Sequence, residues 1–420
     1  MCGKYDKKLL GNIEGDISLK VNRVEQHIIK KSNPIYQTID DYCYKSKNLY
    51  NYANYIIRQE FINNGKWIRH HALDKTIQKS EPYIELGSQA SQKTLELLDK
   101  NYKSFFASIK DWSKNPSKYL GKPRLPKYKD KNGRNPLLLK NIQCHINDGI
   151  LRFSWKPLNQ FKFKTNIHGK LMQVRFIPKG TIYVMEIVYE IEVPDTIDEI
   201  SHIIGIDLGI DNFATISNNI GVQPIIINGK SLKSMNQFYN KRKAEIQSNL
   251  KLKHNKLSSN KLQAFTQKRN NKVSDFLHNA SKTVVKFCVD NNIDTVVIGK
   301  NDGWKQESNM GKRNNQNFVQ IPYETFINQI KYKCENYGIK TILTEESYTS
   351  GTSFLDNELP TKQNYNKSRR ITRGLFKSNK GVEINADLNG AYQIIRKVFP
   401  NAFADGIEGV GLHPVRWNVV

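Results

Sequence analysis

The run IIGIDLGIDNFATIS, Ile203–Ser217, decides how the rest of the chain reads. Ile203–Leu208 is a continuous apolar strand holding one acid, Asp207, and Asn212–Ser217 follows as a second short strand. A carboxylate inside an apolar strand carries a desolvation cost unless it is paired or binds a cation. Gly205 and Gly209 flank Asp207 and admit close approach of backbone or ligand. A salt-bridged structural aspartate would look the same, so the run alone leaves both meanings open.

Working downstream, Gln223–Ile227 reads as a third strand and Ser231–Asp290 as a Lys/Asn/Gln-rich helical hairpin. Then come a strand at Thr295–Ile298, a helix at Phe318–Tyr337, a strand at Lys340–Leu343 and a helix at Asp387–Phe399. Three strands, a helical crossover, then strand–helix–strand–helix is the order of an RNase H-like α/β domain. Asp387 falls in the first turn of the last helix, where the helix dipole favours a carboxylate. Leu388, Ala391, Ile395 and Val398 line one face of that helix. The plain alternative for Asp387 is a capping residue. Hydrolysis of a phosphodiester by two metal ions about 4 Å apart needs several oxygen ligands, so a third acid is expected between the two aspartates.

Upstream, Val21–Ile29 reads as a strand and Tyr36–Trp67 as a tyrosine-rich helix. A second helix spans Ser88–Trp112, with Leu95, Leu98, Tyr102, Phe105 and Phe106 at helical spacing, a pattern that signals core more than a base-stacking platform. Ser117–Asn135 is a Pro/Gly/Lys-rich basic connector. Asn147-Asp148-Gly149 and Pro178-Lys179-Gly180 each sit between alternating residues and signal hairpins, so residues 136–195 form a small antiparallel β-domain. Pro194–Ile200 reads as a boundary.

Across 420 residues, 65 Lys and Arg face 39 Asp and Glu, a net charge of +26. Such an excess points to a polyanionic partner, nucleic acid ahead of an anionic membrane surface; compositional drift toward lysine is the plain alternative. With 38% hydrophobic residues, 20 Tyr, 18 Phe and 5 Trp, the chain can bury real cores, which excludes wholesale disorder. Its five cysteines, Cys2, Cys43, Cys144, Cys288 and Cys334, form no CxxC pair, which excludes a disulfide scaffold. MCGKYDKKLLGN at the start has no apolar core and no run of 18 apolar residues exists, so a soluble, intracellular protein of a reducing compartment, without membrane contact, is expected.

IIGIDLGIDNFATIS, VVIGKNDGWKQ (296–306), NNQNFVQIP (314–322), TEESYTS (344–350) and INADLNGAYQI (384–394) together resemble the TnpB family, transposon-encoded RNA-guided DNA nucleases related to Fanzor and type V CRISPR effectors. LGSQASQ (86–92) and GKPRLPKYK (121–129) are similar to that family's recognition and wedge regions. The resemblance implies a RuvC-type nuclease with three acids. Asp207 matches the first and Asp387 the last. Where many members carry a glutamate at the end of the middle strand, this chain has Gly299; the EESYTS-like motif used by other members supplies Glu346, with Glu345 as runner-up. Asp207, Glu346 and Asp387 are thus the expected catalytic and metal residues, holding two Mg²⁺ or Mn²⁺ ions. The family's CxxC…CxxC insert has no counterpart, because Gly351–Glu383 contains no cysteine, so no zinc is expected.

The implied layout is a first wedge strand region (1–35), a helical recognition domain (36–115), a β wedge domain (116–200), the first part of the nuclease domain (201–350), a degenerate insert without zinc (351–383), and the last part of the nuclease domain with a tail (384–420). Expected nucleic-acid contacts are Gln89, Gln92, Lys93, Lys122, Arg124, Lys127, Trp304, Lys305, Lys312, Arg313, Arg369, Arg370 and Arg373. The expected partners are a guide RNA from the transposon end and a double-stranded DNA target carrying a short adjacent motif, with one protein monomer per RNA. A nuclease-inactive RNA-guided repressor and a small type V CRISPR effector are the alternatives.

Overall fold

The computed structural model describes residues 18–196, 199–301, 320–404, 406 and 411–419. The chain divides into two compact units, one built on Lys20–Glu192 and the other on Val193–Val420. They are described separately.

In the first unit, strand β1 (Ser18–Ile29) precedes helices α1 (Tyr36–Asn64), α2 (His70–Ile77), α3 (Glu81–Leu86) and α4 (Ser88–Lys114). Six strands follow: β2 (Leu137–Lys140), β3 (Cys144–Asn147), β4 (Ile150–Phe153), β5 (Lys162–Lys164), β6 (Lys170–Lys179) and β7 (Ile182–Pro194). They form a four-stranded sheet, β1-β7-β6-β2, and a three-stranded sheet, β3-β4-β5. The β-region is therefore two sheets, and the N-terminal strand completes the larger one. The β3–β4 turn places Asp148 and Gly149 at φ 52° and 68°, the conformation a two-residue hairpin needs and the reason for an Asp-Gly pair there. Leu95, Leu98 and Tyr102 on α4 are buried in one core with Tyr50 and Ala53 of α1, so this spacing does mark a packing face. The Tyr102 hydroxyl donates to Asn54 Oδ1 at 2.8 Å, which satisfies the one polar atom the ring carries inward.

The second unit opens with strands β8 (Ile203–Leu208), β9 (Asn212–Asn218) and β10 (Ile225–Asn228). Helices α5 (Lys230–His254) and α6 (Asn260–Asp290) lead to β11 (Thr295–Gly299). Helix α7 (Tyr323–Glu335) leads to β12 (Lys340–Thr344). The α7 bounds are narrower than the expected Phe318–Tyr337, and residues 318 and 319 lie outside the described residues. Short strands β13 (Arg370–Thr372), β14 (Leu375–Lys377) and β15 (Glu383–Asn385) precede helix α8 (Ala386–Val398), and β16 (Val415–Trp417) closes the edge.

The main sheet runs β12-β11-β8-β9-β10-β16, with β11 parallel to both β8 and β12 and β9 antiparallel to β8. This is the RNase H-like order. Alternation along β8 sends Ile204, Ile206 and Leu208 into a core with α6 and α7. Ile203 joins Val297, Ile394 and Ile395 on the other face, under α8. Gly205 makes that seat possible: a Cβ there would collide with Ala391 O and lie 2.7 Å from Ile395 Cγ1. Gly390 does the same from the helix side, since a Cβ there would lie 3.3 Å from Asp207 Oδ2. Ile394 and Ile395 are fully buried, and each contributes about 1.5–3 kcal/mol to holding α8 on the sheet. Among the described residues, no helix is long and apolar enough to cross a membrane.

Candidate active site

Because β8, β11 and β12 are parallel, their carboxyl ends lie along one edge of the sheet, the edge where α/β sheets present ligand groups. Asp207 is next to last on β8, Gly299 is last on β11, and Glu346 follows β12 by two residues. Gly299 pairs with Thr344, and Ile298 pairs with Ile206. A glutamate after β12 must therefore span two strand spacings, about 10 Å, to approach Asp207. It does so across Gly299: a Cβ there would lie 3.1 Å from Glu346 Oε2 and 2.6 Å from Ile394 Cδ1. The bare backbone at 299 is the space the glutamate occupies.

The two glutamates diverge. Glu345 is exposed and pairs with Lys397 Nζ at 2.8 Å, which lowers its carboxyl pKa. Glu346 turns inward. Asn301 Nδ2 donates to its Oε1 at 3.2 Å, and its own backbone N–H donates to Asn301 Oδ1 at 3.0 Å. Burial, with Glu345 adding repulsion, pushes its pKa up to about 7. Asp207 is only half-buried by exposed area, yet protein surrounds its carboxylate closely enough for desolvation to dominate. That burial, then the charges of Asp387 and Glu346, raise its pKa well above the usual carboxylate range. Tyr323 holds the adjacent turn, donating its hydroxyl to Gly209 O at 2.7 Å.

Asp387 is not the cap of α8. Asn385 is, accepting from the N–H groups of Asp387 and Leu388 at 3.1 Å each. The Asp387 carboxylate is thereby left for other work. Its Oδ2 accepts from Asn212 Nδ2 at 2.7 Å and its Oδ1 from Arg370 at 2.9 Å. Arg370 also donates to Arg373 O, and Arg373 lies 3.5 Å from Asp211. Three acids thus share one field, with a guanidinium supplying the positive charge beside one of them.

No group of three His, Cys, Asp or Glu side chains among the described residues is close enough to hold a metal ion as it stands. The donor set nonetheless suits a hard divalent cation. Asp207, Glu346 and Asp387 offer oxygen alone, and the charges of the other two press on Asp207, a repulsion of the kind a cation relieves.

The remaining expected contacts are scattered. Lys93 pairs with Glu96 at 2.6 Å, and Gln92 accepts from Lys140 at 2.7 Å. Gln89 Oε1 is buried without a hydrogen-bond partner among the described residues. Lys122 lies over the Trp112 ring at 5.6 Å. Arg124 and Lys127 border a groove of about 550 Å³ with Tyr50, Phe105 and Tyr128. Arg369 is committed to Glu358, with both oxygens within 2.8 Å, so it is occupied inside its own unit. Trp304, Lys305, Lys312 and Arg313 lie outside the described residues.

Asn212, Asn301 and Asn385 are the site residues that the sequence reading missed. Their signal was position: each adjoins a strand end that carries, or borders, one of the three acids. The cysteine-free stretch 351–383 is held from α8 by Asn389, Gln393 and Arg396, spaced to share one face. Asn389 Nδ2 donates to Thr352 O, Gln393 to Glu358 O, and Arg396 to Phe354 O, at 2.8, 3.0 and 3.0 Å.

A profile of probable transposases (OrfB_IS605) matches residues 186–305, and a profile of the Cas12f1-like TNB domain matches residues 323–394. The chain is 22% identical to the TnpB-like protein ORF457 of Acidianus two-tailed virus, over 84% of this chain and 81% of that one. Among solved structures it resembles a Cas12f1–sgRNA–target DNA complex seen by cryo-electron microscopy. The TM-score is 0.55 at 14% identity, over 86% of this chain and 82% of that chain. At such identity the likeness is one of fold. The matched segments and the fold make the chain similar to TnpB- and Cas12f-like proteins.

Proposed function

We propose that this protein is an RNA-guided double-stranded DNA endonuclease of the RuvC type, acting with divalent metal ions. The observation that carries the reading is the meeting of Asp207, Glu346 and Asp387 in one field, with Gly299 clearing the path for the glutamate. Similarity to TnpB- and Cas12f-like proteins and a net charge of +26 support nucleic acid as both guide and substrate.

Asp207, Glu346 and Asp387 would hold the ions. Bound Mg²⁺ or Mn²⁺ would supply Lewis-acid charge at the phosphate and an activated water. The chain's own groups do the rest. Asn301 fixes Glu346 through two hydrogen bonds, Asn212 fixes Asp387, and Tyr323 pins the β8–β9 turn. Arg370 keeps a guanidinium fork at the carboxylates, a geometry that suits an arriving phosphate oxygen. Recognition of sequence falls to base pairing with the guide, and the protein reads a short motif beside the target.

The test is cleavage of a supercoiled plasmid carrying target and motif in Mg²⁺, using protein loaded with its copurifying RNA. Wild type should cut, while Asp207→Ala and Asp387→Ala should bind the RNA and not cut. Retained cutting by either variant removes that residue from the site. A wild type that binds the target without cutting it is the repressor instead.

A further inference from the structure

Arg370 reaches Asp387 from a small lobe that rests on the polar face of α8. Residues 352–358 are fixed there at several points. Besides the three bonds from Asn389, Gln393 and Arg396, the Phe354 N–H donates to Asn389 Oδ1 at 3.0 Å and the Phe354 ring stacks on Tyr392 at 4.4 Å. Arg396 is buried and lies over the same ring at 4.4 Å. Glu358 ends this stretch. Its backbone O accepts from Gln393 at 3.0 Å, its N–H donates to Ser353 O at 3.1 Å, and its Oε2 accepts from the Ser353 N–H at 2.8 Å. The lobe thus fixes this carboxylate from both its backbone and its side chain.

The cation it meets is Arg369. Arg369 Nη1 donates to both Glu358 oxygens, at 2.8 and 2.7 Å, and the two side chains are only 17% and 16% exposed. Among the described residues, Arg369 has no other hydrogen bond or ion pair from its side chain. The next residue, Arg370, goes to a different acid, Asp387, at 2.9 Å. Strand β13 alone is a weak hold for it. The strand is three residues long, its register with β14 shifts between Arg370 and Thr372, and it is the edge of its sheet with Ile371 and Thr372 exposed. Short segments with few buried contacts open locally at little cost. A largely buried ion pair adds little net stability, since desolvation offsets the attraction, so its gain here is one of position.

We propose that Glu358 is a positioning residue for the nuclease site: by gripping Arg369 it holds Arg370 at the Asp387 carboxylate. The proposal rests on the nuclease reading above and assigns a task to an acid outside the three carboxylates. A guanidinium and a divalent cation compete for Asp387 Oδ1, so the same grip sets how tightly the free protein takes up metal.

The experiment compares wild type, Glu358→Gln and Arg369→Gln, each substitution also in an Arg370→Gln background. Glutamine at 358 keeps an oxygen for the Ser353 N–H. The two single variants change the local charge in opposite senses, so an effect common to both comes from loss of the pair. One readout is the single-turnover rate of guided plasmid cleavage in saturating Mg²⁺. The other is the Mn²⁺ dissociation constant of the RNA-free protein, from the free Mn²⁺ signal in electron paramagnetic resonance. Both single variants should cut about 10–100-fold more slowly. Both should bind Mn²⁺ about 3–10-fold more tightly, since the competing cation leaves Asp387. Arg370→Gln should do the same, and adding either substitution to it should change neither readout by more than about twofold, because the route to the carboxylate is already cut. Losses that multiply in the Arg370→Gln background overturn the inference, since the pair then supports the fold in general. Mn²⁺ shifts of opposite sign in the two single variants, or wild-type values in either, overturn it too. Arg369→Gln decides the question if Glu358→Gln does not fold. A wild type that cuts no matched plasmid overturns the proposed function, and the Mn²⁺ pattern then tests the placement of Arg370 by itself.

Discussion

Replacing Glu346 by Gln should make the metal-free protein more stable at pH 8 while abolishing cleavage. The rise of this carboxyl from its ordinary value of 4.5 to about 7 means that ionising it inside the fold is costly. At 1.36 kcal/mol per pH unit the full cost is about 3 kcal/mol. The side chain is half-buried, so solvent screening reduces the expected gain to about 1–2 kcal/mol. The folded state binds the proton more tightly than the unfolded state between pH 4.5 and 7. The penalty is therefore absent below 4.5, grows as pH rises to 7 and is constant above it. Glutamine keeps the oxygen that accepts from Asn301 and carries no charge. Differential scanning calorimetry in EDTA should show the transition of the Val193–Val420 unit about 2–8 °C higher than wild type at pH 8 and level with it at pH 4.5. A lower transition at pH 8, or a shift independent of pH, would refute the claim that Glu346 is held inward against its own charge.

Gly299→Ala should cost about 1–3 kcal/mol in urea denaturation and depress plasmid cleavage, since the new methyl meets Ile394 and the Glu346 carboxylate. Unchanged stability and activity would mean that the glutamate does not need that space. Glu345→Gln should change stability by less than about 0.5 kcal/mol and leave cleavage near wild type, because Glu345 itself is exposed and Lys397 keeps Ser347 O as a partner. Loss of cutting would transfer the role to Glu345. Elemental analysis of purified protein should find no stoichiometric zinc, because stretch 351–383 contains no cysteine to hold it. One zinc per chain would contradict this.

The sequence order of strands and helices was enough to place β11 between β8 and β12, because apolar runs of strand length alternated with long amphipathic segments. A glutamate after β12 then has to cross the β11 end, where Gly299 leaves it room. Four features were not legible, each for a physical reason. Capping by Asn385 rather than Asp387 turns on a two-residue difference in where the helix starts, which periodicity does not resolve. The polar face of α8, Asn389, Gln393 and Arg396, looks like a solvated stripe until its carbonyl partners are known. Arg369 reads as a free cation until Glu358, eleven residues earlier, is folded against it. Pairing across the β3-β4-β5 sheet needs register, and register is set by tertiary packing as much as by the turn.

The central claim is that the three acids form one metal-dependent site directed by RNA. It is tested most directly by changing the guide: the protein is loaded with two RNAs differing only in the pairing segment, and each is given a mixture of two plasmids in Mg²⁺. Each complex should cut only the plasmid matching its own guide, and Asp207→Ala should cut neither while holding RNA as well as wild type. Cutting that ignores the guide, or that survives Asp207→Ala, would contradict the account.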